Sequence, residues 1–294
     1  MREFLKRLTA AGFALCLFGA GPAPAAAEPA LWVIRDGRST IHLFGTIHVL
    51  KSGTHWQSPK IAQAFGDSGD LWLELTDDDP ATMQPLVASL GLDPAHPLSG
   101  KLSPGDLARV DDAAKAAGLP NGEQALETMR PWLAALSLTT LPVVQAGFDP
   151  NEGADRVLKR QALAAGKTLY AFETGGQQLH FFADLPPADE MEILESTLDE
   201  IADGPDKIKE MADAWLAGDV PTIGKLFAEF AEPQYQALYQ VLIVHRNQRW
   251  AEKLAERLKN GRGTSFVAVG AGHLVGPDSL IAALAKRGIT VERE

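Results

Sequence analysis

Apolar residues in this chain gather into short dense runs, and the spacing of the polar positions between them shifts along the sequence. Residues 31–35 and 40–44 are two such runs. They meet across Asp36 and Gly37, residues favoured at a hairpin tip, and predict two paired strands. Residues 59–65 predict a short helix, and 70–75 (Asp-Leu-Trp-Leu-Glu-Leu) a strand too apolar to be exposed on both faces. Strand character returns at 167–173 and 264–269. Helical periodicity covers 154–165, 187–201, 206–217 and 221–230, and a long helix is expected over 234–258, where neither Gly nor Pro occurs. A helix at 279–286 and an edge strand at 290–291 complete the pattern. Strands alternating with helices predict an α/β fold: a central, mostly parallel, mixed sheet flanked by helices.

The stretch from 77 to 149 has a different character. Pro80, Pro85, Pro94, Pro97, Pro104, Pro120 and Pro131 divide it, predicting short helices at 83–90, 104–117, 122–128 and 131–140, with Ser103 capping the second. It reads as a helical insertion at about 77–150 within a single domain of residues 28–294, held by its prolines as a fixed cap over the open side of the sheet.

Residues 1–27 read as a secretory signal peptide. Arg2, Lys6 and Arg7 precede an apolar stretch at 8–20, and Ala25-Ala26-Ala27 resembles a cleavage triplet. The apolar stretch is too short for a comfortable membrane span, and no later stretch is longer. An exported protein is expected, periplasmic or secreted, with no stable membrane span once the signal is removed. Cys16, the only cysteine, lies in that segment, so stability must come from an apolar core without disulfides. A net charge of -11 disfavours nucleic acid and anionic lipid as partners. The densest basic group, Arg246, Arg249, Lys253, Arg257 and Lys259, is interleaved with Glu252 and Glu256, and a solvated helix face explains it as well as a basic patch does.

Four apolar runs end in a group capable of chemistry. Gly45-Thr46-Ile47-His48 follows the run ending at Phe44, Glu74 follows Leu71-Trp72-Leu73, Glu173 follows Tyr170-Ala171-Phe172, and Gly270-Ala271-Gly272-His273 follows Val267-Ala268-Val269. Carboxyl ends of strands define the ligand crevice of open α/β sheets, so these four groups are the candidate site. Glu74, between Leu73 and Leu75, must meet a cation or hold a proton. Arg246, in an apolar-rich helix beside Asn247, suits a buried or substrate carboxylate. His55 is an outside candidate, while His42, His96, His180 and His245 read as structural or surface residues. No Gly-x-Ser-x-Gly elbow and no His-Glu-x-x-His helix occurs.

The two Gly-x-x-His turns, the Leu73-Glu74 strand end, Pro131-Trp132, the stretch from Gly166 to Thr174 followed by Gln178-Leu179, Arg246-Asn247 with Trp250, and the run from Gly270 to Gly276 resemble the TraB/GumN family. That family includes PrgY pheromone-shutdown proteins and Tiki-type proteases. The resemblance covers essentially the whole chain beyond residue 27 and implies a fold similar to the erythromycin esterase and ChaN-like proteins. It also implies a divalent-metal peptidase centre in which His48, His273 and Glu74 are essential, with Glu173 and Arg246 in support. Two imidazoles and a carboxylate suit Zn, Mn or Co, and such an ion makes water acidic enough to attack a peptide carbonyl near neutral pH. Glu74 or Glu173 would then move the proton and Arg246 would steady the developing charge. The substrate is a peptide or another small molecule. Two other readings are a metal-free esterase using His48 as base and a non-enzymatic haem or metal-binding module.

Overall fold

The structure is a computed structural model that describes residues 27–232 and 235–294. The segment read as a signal peptide lies outside these residues except for Ala27, and Cys16 lies outside with it. The hairpin forms as expected: β1 (Leu31–Asp36) and β2 (Ser39–Thr46) pair antiparallel with Asp36 opposite Ser39. After the two-residue β3 (Leu50–Lys51), helix α1 (Pro59–Asp67) starts at Ser58, whose side chain accepts from the Ile61 N–H. Strand β4 (Asp70–Leu73) follows.

Prolines shape the next helices less than their number predicts. Helix α2 (Pro80–Gly91) starts at the Asp79 cap and runs through Pro85, α3 (Pro104–Ala116) starts at the Ser103 cap, and α4 (Pro131–Gln145) runs through Pro142. Pro80, Pro104 and Pro131 sit in the first turn, where the missing N–H costs nothing. The helix expected at 122–128 is a single 3-10 turn, Gly122–Ala125. These helices pack mainly on α6 (Gly175–Ala183), α7 (Pro187–Glu200) and α8 (Gly204–Leu216). Their own apolar clusters form around Val110, Leu138 and Leu194, and around Trp132 and Leu179. Helix α6 is absent from the sequence reading because Gly175 and Gly176 look like loop; Thr174 and Gln177 form a reciprocal capping box that starts it.

Strand β5 (Phe148–Asp149) pairs with β3 in a small second sheet, and α5 (Ala154–Ala164) leads into β6 (Thr168–Ala171). Beyond α9 (Val220–Glu229), the long helix expected at 234–258 is interrupted. Its pieces are α10 (Gln236–Tyr239), a π-helical turn Gln240–Val244, and α11 (His245–Asn260). Propensity alone does not mark such a turn, because no Gly or Pro is needed for it. Strand β7 (Gly263–Gly270), α12 (Leu280–Ala285) and β8 (Glu292–Arg293) end the chain, so the last edge strand falls two residues later than expected and pairs with β1.

The main sheet has strand order β6-β4-β7-β2-β1-β8. Strands β6, β4, β7 and β2 are mutually parallel; β1 runs against them, and β8, antiparallel to β1 at the edge, runs in their direction again. Side-chain alternation divides the core by face. Phe44, Leu71, Phe266 and Ala268 point toward α1, α5 and α8, whereas Ile41, Leu43, Val267 and Val269 point toward α11 and α12. Both faces of the central strands are therefore covered, which is why their sequences are apolar almost throughout. No described helix is long and apolar enough to cross a membrane.

The two central strands touch without room to spare. A Cβ on Gly45 would lie 3.0 Å from the Ala271 Cα, and the Gly45 carbonyl accepts a 2.6 Å hydrogen bond from the Trp215 indole. Gly45→Ala should cost about 1–3 kcal/mol by overpacking. The expected result is a lower urea midpoint at unchanged slope; an unchanged midpoint would mean that the turn after β7 yields freely.

Candidate functional site

Because β2, β4, β6 and β7 run parallel, their C-terminal ends share one edge of the sheet. There the structure assembles His48, Glu74, Glu173 and His273, which the sequence scatters over more than two hundred residues. Glu74 follows β4 directly, Glu173 stands two residues past β6, His48 two past β2, and His273 lies in the 3-10 turn Ala271–Leu274 after β7. Arg246 enters from the first turn of α11. His55, by contrast, is an exposed loop residue.

Arg246 is the hub. Its Nη2 donates to Glu74 Oε2 at 2.5 Å, and its Nε donates to Glu173 Oε2 and Oε1 at 3.0 and 3.2 Å. Its Nη1 donates to the Leu242 carbonyl at 3.0 Å and meets His273 Nε2 at 3.1 Å. The guanidinium lies over the Trp250 ring, 4.6 Å from the centroid, with Phe181 at 5.5 Å. Arg246, Glu173 and His273 are all buried. The expectation of a solvated face on α11 holds for Arg249, Lys253 and Lys259, which are exposed, and fails for Arg246, which lies inside because one side of this helix packs on the sheet. Lys253 donates to the Phe172 carbonyl and Arg257 pairs with Asp70 at 3.6 Å.

Glu173 has no spare oxygen. Besides Arg246 it accepts from the Trp250 indole at 3.1 Å and the Gln178 amide at 3.4 Å, with Arg249 3.5 Å away. Its geometry is that of a clamp on Arg246. Glu74 is placed differently. Its Oε2 takes Arg246 and Gln178, while Oε1 accepts the Gly270 N–H at 2.7 Å and faces both imidazoles: His48 Nε2 at 3.9 Å and His273 Nε2 at 3.8 Å. Gly270 lacks a side chain where one would intrude, since a Cβ there would lie 3.2 Å from both Glu74 Oε1 and His48 Nε2.

Each imidazole is oriented through its other nitrogen. Asn247 Nδ2 donates to the Asp278 carbonyl at 2.8 Å, which turns its Oδ1 toward His273 Nδ1, 2.8 Å away. His273 Nδ1 is then the donor, and its Nε2 lone pair faces the site. His48 Nδ1 lies 3.3 Å from Asp155 Oδ1, so its Nε2 also points inward. Sequence reasoning assigned no role to Asp155, Asn247 or Gln178. Asp155 is an acidic residue in a helix's first turn, where a dipole explanation suffices, so nothing local marks it as a partner of His48.

Charges follow from this packing. Burial opposes ionisation of Glu74, but Arg246, His273, His48 and the Gly270 N–H outweigh it and hold the carboxyl well below its usual range. Burial pushes His273 down to about 3, with Glu74 opposing and Arg246 assisting. Desolvation by the neighbouring cluster opposes the charged form of His48, yet Asp155 and Glu74 prevail and raise it to about 9, so without a metal ion this ring carries its proton near neutral pH. His48 is the member that solvent reaches, with 58% of its side chain exposed against 6% for His273.

Two imidazoles that direct Nε2 at one carboxylate oxygen, His273 hydrogen-bonded at Nδ1 to Asn247 and His48 beside Asp155, match a divalent cation in donor type once His48 releases its proton. Among the described residues no three such side chains already close on a common point. Donors about 2.1 Å from a tetrahedral ion stand roughly 3.4 Å apart, so the 3.8 and 3.9 Å separations from Glu74 would have to tighten by a few tenths of an ångström. Arg246 Nη1, which now engages His273 Nε2, would also have to release it.

Two outcomes follow from this geometry. Arg246→Met strands two buried carboxylates and should cost about 3–5 kcal/mol in urea unfolding, part of it recovered on adding Glu74→Gln and Glu173→Gln; equal stability of the single variant and wild type would contradict the hub. In metal-free protein, an unfolded chain with His273 at its ordinary 6.5 binds more protons than the folded one, so this residue makes stability fall as pH drops below 6.5. Between about pH 6.5 and 4.5, above the range where Glu74 contributes, His273→Gln should lose less stability than wild type. Parallel pH profiles would show that His273 is not held neutral.

The chain is similar to the protein YbaP of Escherichia coli (strain K12), 25% identical over 258 residues that cover 86% of this chain and 90% of the relative. The YbaP of Shigella flexneri matches to the same extent. A protein of Treponema pallidum (strain Nichols) is 20% identical over 278 residues, covering 88% of this chain and 81% of its own length. No solved structure matches. The signature of one family extends over residues 30–293, taking in both glycine-histidine turns and every residue of the cluster, so the chain belongs to the TraB/PrgY/gumN family.

Proposed function

We propose that this protein is a divalent-metal-dependent hydrolase acting on peptides outside the cytoplasm, with the ion held by His48, His273 and Glu74. The observation that carries the reading is the pair of imidazoles that both direct Nε2 at Glu74 Oε1, His273 with its Nδ1 hydrogen-bonded to Asn247 and His48 with its Nδ1 3.3 Å from the Asp155 carboxylate. Export rests on the residue pattern of positions 1–27.

A bound Zn, Mn or Co ion would supply acidified water and polarise the carbonyl to be cleaved. The chain's own residues divide the remaining work. Arg246 keeps Glu74 ionised, and Glu173, saturated by Arg246, Trp250 and Gln178, fixes Arg246. The Gly270 N–H sets the direction of Glu74 Oε1, which serves as ligand or, if left free, accepts the proton of the attacking water. Substrate meets the cluster at His48, its exposed member.

The test is metal content and hydrolysis of a mixed peptide library after supplying each ion, for wild type, His48→Ala and His273→Ala of equal folding by circular dichroism. Stoichiometric metal and cleavage in wild type, both lost in each variant, is the expected result. Cleavage that persists at full rate in folded His273→Ala would sink the proposal.

One observation favours a second reading. Arg246 already occupies the His273 lone pair, and Asp155 lies 3.3 Å from His48 as an acid lies beside a general base, which here would act only after giving up the proton that Asp155 and Glu74 favour. A metal-free esterase built on His48 and Asp155 would keep its activity in chelator and lose it in Asp155→Ala.

A further inference from the structure

A cavity of about 420 Å³ lies among α4, α7, α8, α9 and the π-helical turn. Its size falls within the range of small-ligand sites, and its walls are mostly apolar, with Trp132, Phe182, Leu226, Leu238 and Leu242 among them. Three elements contribute to the cavity and to the polar cluster within a turn of each other. In α6, Phe182 lines the cavity and Gln178 donates to Glu74 and Glu173. In α9, Leu226 lines it while the Phe227 ring lies against Gly272, next to His273. At the π-helical turn, Leu242 lines it and its carbonyl accepts from Arg246. A π-helical turn shifts the residues after it around the helix axis, which lets Leu238 and Leu242 face the cavity while Arg246 faces the carboxylates. These three elements thus reach the cavity with one residue and the cluster with another, while His48, Glu74, Glu173, Arg246 and His273 themselves stand outside the cavity lining.

The mouth has its own charge. Lys207 donates to Glu200 at 2.8 Å and to Glu229 at 3.5 Å, and Tyr235 also donates to Glu200, which leaves two carboxylates against one ammonium. A negatively charged group entering there would be repelled, and one with neutral or basic flanks would not.

Resting on the peptidase reading, we propose that the cavity is the pocket that selects the substrate: it takes large apolar side chains next to the bond to be cleaved and rejects acidic ones. The apolar walls provide the affinity, and Glu200 with Glu229 provides the exclusion.

The experiment separates binding from cleavage. Nile red, an uncharged apolar fluorophore, is titrated into the full-length protein and competed with acetyl-Leu-Phe-Leu-amide or acetyl-Asp-Ser-Asp-amide. Leu136→Trp and Thr139→Trp, at exposed lining positions, partly fill the cavity without disturbing the core. Saturable binding is expected, with the apolar peptide displacing the dye at least tenfold more effectively than the acidic one and both variants weakening it about tenfold. Absence of saturable binding, equal competition, or unchanged affinity in both folded variants overturns the pocket. Hydrolysis is read separately on peptides carrying Leu-Phe-Leu or Asp-Ser-Asp. If no peptide is cleaved but binding behaves as described, the peptidase reading fails and the pocket stands. If both peptides are cleaved with equal kcat/KM, the pocket's role in selection fails.

Discussion

Burying the Arg246 guanidinium beside Glu74 and Glu173 takes three charges out of water, at a cost of several kcal/mol for each ion that only close mutual pairing offsets. The structure meets that condition through nearly all of Arg246's donors, with Trp250 and Phe181 against the guanidinium faces. Several features of the surroundings follow. Glu173 is fully bonded, Glu74 stays ionised while buried, and His273 is held neutral with its lone pair turned inward. A net positive or negative imbalance at this point would be felt by every strand end that converges there.

The sheet supplies the rigid part of the arrangement. Four parallel strands bring their C-terminal ends to one edge, and both faces are packed by helices, so the turns carrying His48 and His273 leave a fixed platform. Close contact between the β2 and β7 ends, where Gly45 lies against Ala271, leaves no slack between those turns. Helix α11 completes the site from one face with Arg246 and Asn247, neighbouring residues that meet the two ring nitrogens of His273, Arg246 also holding both carboxylates. The residues just before α11, Leu238 in α10 and Leu242 in the π-helical turn, line the apolar cavity instead.

Much of this was legible in the sequence. The hairpin at Asp36-Gly37, the apolar strands, the Ser103 cap and the glycine-histidine turns are local signals, and each appears where periodicity and turn chemistry put it. Positions of the candidate groups at strand ends were also legible, because an apolar run that stops at a charged or imidazole side chain is itself a local pattern. Helix α6 and the interrupted helix before Arg246 were not. A glycine pair hid the first, and the second depends on how Leu238, Leu242 and Arg246 pack against different neighbours.

By itself the sequence determined the alternation of strands and helices, the apolar character of both sheet faces and the identity of the groups available for chemistry, since these depend on neighbours within a turn or a strand. Only the tertiary structure decided that Arg246 is the partner of Glu74 and Glu173, that Asp155 and Asn247 aim the two imidazoles, and that Gln178 bridges the carboxylates. These pairings join residues from distant parts of the chain, and a buried charge chooses its partner by the free energy of leaving water, which is fixed only once the surrounding elements have closed over it.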